Sequence, residues 1–479
     1  MAEQEGITVK KSENFSEWFH EIIHKAGLID QRFPLQGFLV FNWYGLEIHE
    51  AYMEYLEKLY KKNGYKKYYF PTLIPEKLLA TEAAHIRGFH DQVFWITQGG
   101  EKQLEERIAL RPTSETPMYE MFKLWIRSYK DLPIKIFQTT SVFRYETKHT
   151  RPLIRDREIF WNEAHSVHEN LEGINKHVKE VVEIYAKLFD FCAIPVTFID
   201  VVTGVFAGAI QAIEPYTIFP DGKVLEMGSV NNLGQKFSRA FGVKFLKKNG
   251  ASEFVYQGSY GVSERILAAI AAIHGDDKGI ILPPTVAPIQ AIIVPIFGKD
   301  DDKVIKYCKD AKKVLENNFR VDLDIDRDET PGWKFNHYEM LGVPLRIEVG
   351  SKELKSKSIT IVRRDKKLKQ TIKLKDYSKR IKILLEDIQK NLYNTANTKM
   401  KEKMSEAKEL NELKKILKER GGLVKTEWCG SKECSDNIKS ETEGGELIGI
   451  LYGKKETPKG KCIWCKEKSK HVVYCGKAY

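Results

Sequence analysis

Phe143-Arg144-Tyr145-Glu146, a basic loop containing Pro152, and Arg155-Asp156-Arg157-Glu158 form the stretch on which the reading of this chain turns. On either side of the loop, Ile134 to Glu146 and Glu158 to His165 are rich in aromatic and β-branched residues, the composition of pleated, half-buried segments. Two antiparallel strands are predicted. Arginine and glutamate alternate along them, and Arg111-Pro112-Thr113-Ser114-Glu115 adds to the set from upstream. A guanidinium presents a planar fork of donors to a phosphate that gains charge during in-line displacement, while carboxylates ligate Mg²⁺ or accept from an ammonium. Together they suit a site that holds a triphosphate beside a cationic amine and works by positioning, without a covalent nucleophile. Taken one pair at a time, the same residues also read as cross-strand ion pairs on a solvated face.

Downstream, Gly258-Ser259-Tyr260-Gly261-Val262-Ser263-Glu264-Arg265 runs into the apolar segment Ile266 to Ile273. Glycines there let backbone approach a ligand, and an arginine at a helix start reaches a phosphate or stacks on a base. Before the decisive stretch, Phe15 to Tyr60 carries apolar residues at helical spacing, and Tyr68 to Phe70 reads as a short strand ending at Pro71. Pro283, Pro284 and Pro288 mark a boundary. Beyond it the pattern predicts a small α/β domain: strands at Ile289–Ile296, Val321–Asp326 and Leu345–Val349, and a helix over Asp302–Asn317. Ser351 to Arg380 holds twelve Lys/Arg against three Asp/Glu, so 12 − 3 gives +9. The whole chain carries +11, so this domain is the part best suited to a polyanion. Lys399 to Arg420, with Leu410, Leu413 and Leu417 at helical spacing, is predicted to be a linking helix closed by Gly421 and Gly422.

A chain of 479 residues, 42% hydrophobic, buries more than one core. Its N-terminus has no apolar leader and no apolar run approaches about twenty residues, so a soluble, cytoplasmic protein away from membranes is expected. Seven cysteines are too few for a disulfide framework at this length. Four of them fall as Cys429-x4-Cys434, then twenty-seven residues, then Cys462-x2-Cys465. That spacing predicts a tetrahedral Zn²⁺ site, structural because the protein fills all four positions. His471 and Cys475 are nearby alternative ligands.

Phe143 to Glu146 resembles motif 2 of class II aminoacyl-tRNA synthetases, and Gly261 to Arg265 resembles motif 3 in its prolyl form. Arg111 to Glu115, Trp161-Asn162-Glu163-Ala164-His165, Leu233-Gly234-Gln235, and Gly275-Asp276-Asp277-Lys278-Gly279 before Leu282-Pro283-Pro284 are similar to signatures of the prolyl-tRNA synthetase family, archaeal and eukaryotic-like type. The resemblance covers essentially the whole chain. It implies an α/β multidomain fold with three parts. These are a class II antiparallel-sheet catalytic domain over residues 1–285, an α/β anticodon-binding domain over 286–395 and a small zinc-binding α+β domain over 396–479.

The resemblance further implies a ligase that activates L-proline with ATP and Mg²⁺ and charges tRNA(Pro), acting as a homodimer. Thr113, Glu115, Arg144, Trp161, Glu163, His165, Asn231 and Ser263 would contact or enclose proline. Arg144, Glu146, Arg155, Asp156, Glu226, Ser229 and Arg265 would hold ATP, with Arg144 and Arg265 as the catalytic pair. The loop Thr147 to Pro152, with Lys148, His149 and Arg151, would touch the acceptor stem. Trp333, Phe335 and Tyr338 beside Lys334 and Arg346 would stack on anticodon bases. Tyr479 would tuck toward the active site. Three positions depart from the family: Asn231 in place of a histidine, Glu226 in place of a glutamine, and Val205 where a lysine precedes Phe206-Ala207-Gly208. They motivate a rival, a paralogue activating another small amino acid. A second rival is a non-catalytic tRNA-binding protein, against which Arg144, Glu146 and Arg265 argue.

Overall fold

The structure is a computed structural model that describes residues 6–81, 90–146, 149–205, 208–373 and 376–479. Thr147 and Lys148 of the presumed acceptor-stem loop, and Phe206 and Ala207, lie outside the described residues.

The two predicted strands form β1 (Ile134–Phe143) and β2 (Glu158–His168), antiparallel, with Gln138 opposite Glu163 and Thr140 opposite Trp161. Further along the chain come β3 (Thr197–Val201), β4 (Gln211–Ile218), β5 (Ser229–Gly234) and β6 (Tyr256–Ser263). Their spatial order is β3-β4-β5-β6-β2-β1. Side chains alternate between the two faces of a strand, and the sequence uses that period strictly. Phe137, Ala164, Ile213, Val230, Tyr260 and Val262 join the largest core, where α1 (Phe15–Lys25), α2 (Trp43–Lys62), α3 (Leu171–Phe191) and α4 (Arg265–His274) cover one face. Their chain neighbours Gln138, Glu163, Glu214, Ser229, Asn231 and Ser259 fall on the opposite face, where the polar side chains gather.

Tyr68 to Phe70 is not a strand of its own. Lys66–Lys67 pairs parallel with β1, Leu73–Pro75 joins a separate three-stranded sheet, and between them the Phe70 amide donates to Gln138 Oε1 at 2.9 Å.

The middle unit is a five-stranded sheet in the order Val321–Leu323, Ala291–Pro295, Leu345–Val349, Ser358–Arg363, Lys369–Lys373. The first three strands are parallel. Asp301–Leu315, Pro331–Met340 and the long helix Tyr377–Glu402 accompany them.

The predicted linking helix is two helices. Tyr377–Glu402 ends at Lys403, Met404–Glu406 enters the main sheet, and Leu410–Glu419 carries the leucine stripe. Sheet pairing with Leu423 to Lys425 takes the backbone groups a continuous helix would have satisfied internally. Strands β7 (Leu423–Trp428), β8 (Gly445–Leu451) and β9 (His471–Lys477) follow. β8 pairs with β3, so the C-terminal unit extends the catalytic sheet to twelve strands. At this seam Gly449 lies opposite Val201, where a Cβ would sit 2.1 Å from the Asp200 carbonyl, so the two backbones meet only around a glycine.

Candidate active site

A cleft of about 750 Å³ opens on the polar face of the sheet. All fourteen side chains assigned to proline and ATP from the sequence line it. Strand register explains why. Trp161, Glu163 and His165, two residues apart on β2, stand opposite Ser263, Gly261 and Ser259 of β6, which in turn set Ser229 and Asn231 of β5 beside them.

Glu163 is only 1% exposed. Its Oε1 accepts from Ser114 Oγ at 2.5 Å and Gln138 Nε2 at 2.7 Å. Its Oε2 is buried without a protein hydrogen-bond partner, 3.5 Å from His165 Nε2. Thr113 Oγ1 donates to the buried Glu115 carboxylate. Glu115, Glu163 and His165 bring ligand atoms within 4.8 Å of one another, a concentrated acceptor set. Asn231 Nδ2 donates to Ser229 Oγ at 3.3 Å while its Oδ1 is buried without a protein partner.

Arg144 Nε donates to the Pro112 carbonyl at 3.0 Å, and its guanidinium lies 5.6 Å from the Trp161 ring. Burial, partly offset by Glu115, lowers its pKa. Arg265, the first residue of α4, is fixed by the Ile154 carbonyl at 3.0 Å and the Glu226 carbonyl at 2.9 Å. It also meets Glu226 Oε2 at 3.3 Å, so the extra negative charge of Glu226 is matched by an arginine. A further cation reaches this wall: Arg155 Nε is 3.9 Å from Glu146 Oε2, and its Nη2 donates to the Tyr479 main-chain oxygen at 2.7 Å.

Glu214 and Gln138 escaped the sequence reading, and burial governs three carboxyls at this wall. Burial, and then Glu226, push the Glu214 carboxyl up to about 8. Burial pushes Asp156 to about 8, and burial with Asp156 nearby raises Glu264 well above the carboxylate range. Asp156 Oδ2 accepts from the Leu153 amide at 2.6 Å, fixing the turn before Arg155. Gln138 and Glu214 carry a signal only once strand register is known, since each follows a core-facing residue, Phe137 and Ile213, onto the polar face. Tyr479 fills the cleft rim: its hydroxyl donates to Asp221 Oδ2 at 2.7 Å, and Phe219 and Arg151 flank its ring at 5.2 and 4.7 Å.

In the middle unit, the expected base-stacking set is largely engaged internally. Lys334 is buried and bonded to Asp324 Oδ1 at 2.6 Å, Tyr338 donates to Asp324 Oδ2 at 3.2 Å, and the Arg346 guanidinium covers Phe335 at 3.9 Å. Trp333 stacks on His337 at 4.9 Å, almost parallel.

The sulfurs of Cys429, Cys434, Cys462 and Cys465 lie within 4.8 Å of one another, with Cys429 and Cys434 3.6 Å apart. A tetrahedral ZnS₄ centre with bonds near 2.3 Å needs sulfurs roughly 3.8 Å apart, so the donor set fits the ion. Cys475 instead points into the apolar core opposite Val424.

Three families match in order along the chain: the tRNA synthetase class II core domain (G, H, P, S and T) over residues 94–274, the anticodon binding domain over 290–384, and the prolyl-tRNA synthetase C-terminal domain over 410–479. Proline–tRNA ligase of Thermofilum pendens is 41% identical over the full length of both chains. The enzyme of that name from Methanopyrus kandleri is 42% identical over 97% of this chain and 96% of its own. Among solved structures, Giardia lamblia prolyl-tRNA synthetase in complex with prolyl-adenylate superposes with a TM-score of 0.95 at 34% identity, covering 99% of this chain and all of that one. Prolyl-tRNA synthetase from Cryptosporidium parvum, complexed with halofuginone and AMPPNP, gives 0.95 at 33% identity over 100% and 98% of the two chains.

Proposed function

We infer the roles of the site residues from one premise: the chain belongs to the prolyl-tRNA synthetase family of class II aminoacyl-tRNA synthetases. It joins proline to tRNA at the expense of ATP.

In the first step a proline carboxylate oxygen attacks the α-phosphorus of ATP, the bond to the β,γ-phosphates breaks, and prolyl-adenylate and pyrophosphate result. Arg144 and Arg265 neutralise charge gathering on the phosphoryl oxygens, pre-oriented by the Pro112, Ile154 and Glu226 carbonyls. The proline ammonium is received by Glu115 and Glu163, with Thr113, Trp161, His165, Asn231 and Ser263 closing the pocket. Glu146, Arg155, Asp156, Glu226 and Ser229 line the nucleotide side. A Mg²⁺ ion, when bound, would offset phosphate charge; Glu226, and Glu214 on giving up its proton, would hold it through carboxylate oxygens. In the second step the terminal ribose hydroxyl of tRNA(Pro) attacks the mixed anhydride carbonyl and AMP leaves.

The observation that carries this assignment is the pairing, in one cleft, of the buried Glu163 Oε2, which has no protein hydrogen-bond partner, with two arginines anchored through main-chain carbonyls. Arg265→Lys should weaken ATP in calorimetric titration and leave proline affinity nearly intact, whereas Glu115→Gln should do the reverse. Equal losses of both ligands in either variant would contradict the division of labour.

The Cys429, Cys434, Cys462 and Cys465 sulfurs would hold a structural Zn²⁺ that pins the tail against β7 and β9. We place the working enzyme in the cytoplasm as a homodimer. No described helix is long and apolar enough to cross a membrane. Exposed Tyr68, Tyr69, Leu73 and Leu124, with Tyr68 packed 5.4 Å from Trp125, offer an apolar patch to a second copy.

A further inference from the structure

The signature stretch Gly275 to Gly279 does not line the cleft, yet it holds a bidentate ion pair between the catalytic and anticodon-binding units. Arg364 is buried, and its Nη1 and Nη2 grip both oxygens of Asp276 at 2.9 and 2.6 Å. Nη2 also donates to the Gly279 carbonyl at 3.2 Å, and Nε to the Glu339 carbonyl at 2.9 Å. Glu339 lies in the last turn of the helix Pro331–Met340, which carries Trp333 and its stacked partner His337.

On the other side, Asp276 follows directly on the C-terminus of α4, capped by Gly275. Lys11 Nζ donates to the Gly275 carbonyl at 2.6 Å, and Trp18 Nε1 to the Asp276 carbonyl at 3.3 Å, so this helix end is held from both sides. The backbones also interlock: the Ile280 amide donates to the Met340 carbonyl and the Leu282 amide to the Gly342 carbonyl, both at 3.1 Å. Gly279 has φ +144°, and a Cβ on it would lie 2.3 Å from Met340 Cα, so the approach admits no side chain. Helix α4 is a rigid element of ten residues, about 15 Å long, with Asp276 beyond one end and Arg265 at the other.

We propose that Arg364 is a positioning residue that couples the occupied anticodon-binding unit to the catalytic arginine, through Asp276 and helix α4. Rotation or translation of helix Pro331–Met340 on binding RNA shifts the Glu339 carbonyl. Arg364 has no slack to absorb that movement, because four of its five N–H groups are spent, three across the junction and one on the Glu339 carbonyl of its own unit. Asp276 therefore moves with it, and α4 carries the shift to Arg265. Coupling between sites is a free-energy difference, so it shows as a change in discrimination and not merely as lost stability. The inference rests on the assignment of the middle unit to anticodon binding.

The test compares wild type, Arg364→Lys and Asp276→Asn in two assays. One is ATP–pyrophosphate exchange without tRNA; the other is charging of a tRNA(Pro) transcript and of the same transcript with its anticodon bases replaced. Exchange is expected to stay within about twofold in all three proteins. Charging of the native transcript should fall about tenfold in kcat with little change in KM, and charging of the altered transcript should barely change, so discrimination collapses. An equal loss on both transcripts would overturn the proposal, leaving Arg364 a structural strut; so would an equal loss in exchange. Should both variants fold poorly, hydrogen exchange on the wild type decides. An anticodon stem–loop RNA should alter protection of amides 265–279, and unchanged protection with the RNA bound would refute the coupling. Failure of the wild type to exchange with proline would instead strike the functional assignment.

Discussion

Glu163→Gln separates recognition from folding at the site. In the native protein Oε1 is satisfied by Ser114 and Gln138, and Oε2 is buried with no protein hydrogen-bond partner. A glutamine retains an acceptor for Ser114 and Gln138 and turns the second oxygen into an NH₂ group, which cannot receive a cationic amine. A hydrogen bond to a charged group is worth about 1.5–3 kcal/mol, and about 1.4 kcal/mol is a factor of ten, so proline affinity should drop roughly ten- to 150-fold. ATP affinity should move little, since the nucleotide side depends on other residues. Folding should not suffer, because a neutral amide in place of a buried, half-paired carboxylate relieves desolvation. The assay is ATP–pyrophosphate exchange with proline varied at saturating ATP, beside thermal unfolding of the free protein. A kcat/KM for proline within threefold of wild type would refute the assignment of Glu163 to the ammonium, and so would an equal rise in the KM for ATP.

Replacing Cys434 or Cys462 by serine should release zinc measured by elemental analysis and lower the thermal stability of the C-terminal unit, since binding and folding are linked at such sites; retained stoichiometry would exclude them as ligands. Asp156, with its folded-state pKa raised to about 8, binds a proton that the unfolded chain has released above about pH 4. Its stabilising contribution is therefore full below about pH 4 and is lost as pH rises to about 8; Asp156→Asn should flatten that decline in unfolding midpoints followed across the range, and an unchanged slope would show that burial does not hold the proton there. Tyr479→Ala removes the bond to Asp221 and the ring contacts with Phe219 and Arg151, and should raise the KM for ATP about five- to tenfold in exchange kinetics while proline KM holds, a loss on the order of 1–1.5 kcal/mol.

The lining of the cleft was legible because strand period and site coincide: Trp161, Glu163 and His165 are two residues apart, and Arg144 and Arg265 stand in short motifs at element ends. That Cys429, Cys434, Cys462 and Cys465 would meet was legible from spacing alone. What escaped depended on pairings remote in sequence. Nothing in Gly445 to Leu451 announces that β8 will dock on β3, because a seam between sheets is written in backbone fit, here a single close approach at Gly449. Lys334 was expected beside the anticodon bases, and only the fold brings Asp324 against it. The break between Glu402 and Leu410 was hidden because helical spacing of leucines continues in character across a segment that the main sheet recruits. Glu214 and Gln138 are ordinary polar residues until register sets Gln138 across from Glu163 and the fold brings Glu214 into the cleft with Glu226.

The most direct test of the account is ATP–pyrophosphate exchange by the purified protein across the twenty amino acids. Strong exchange with proline alone is expected, with Asn231 lining a pocket that still selects the secondary amine. Exchange driven by another amino acid, or by none, would contradict it.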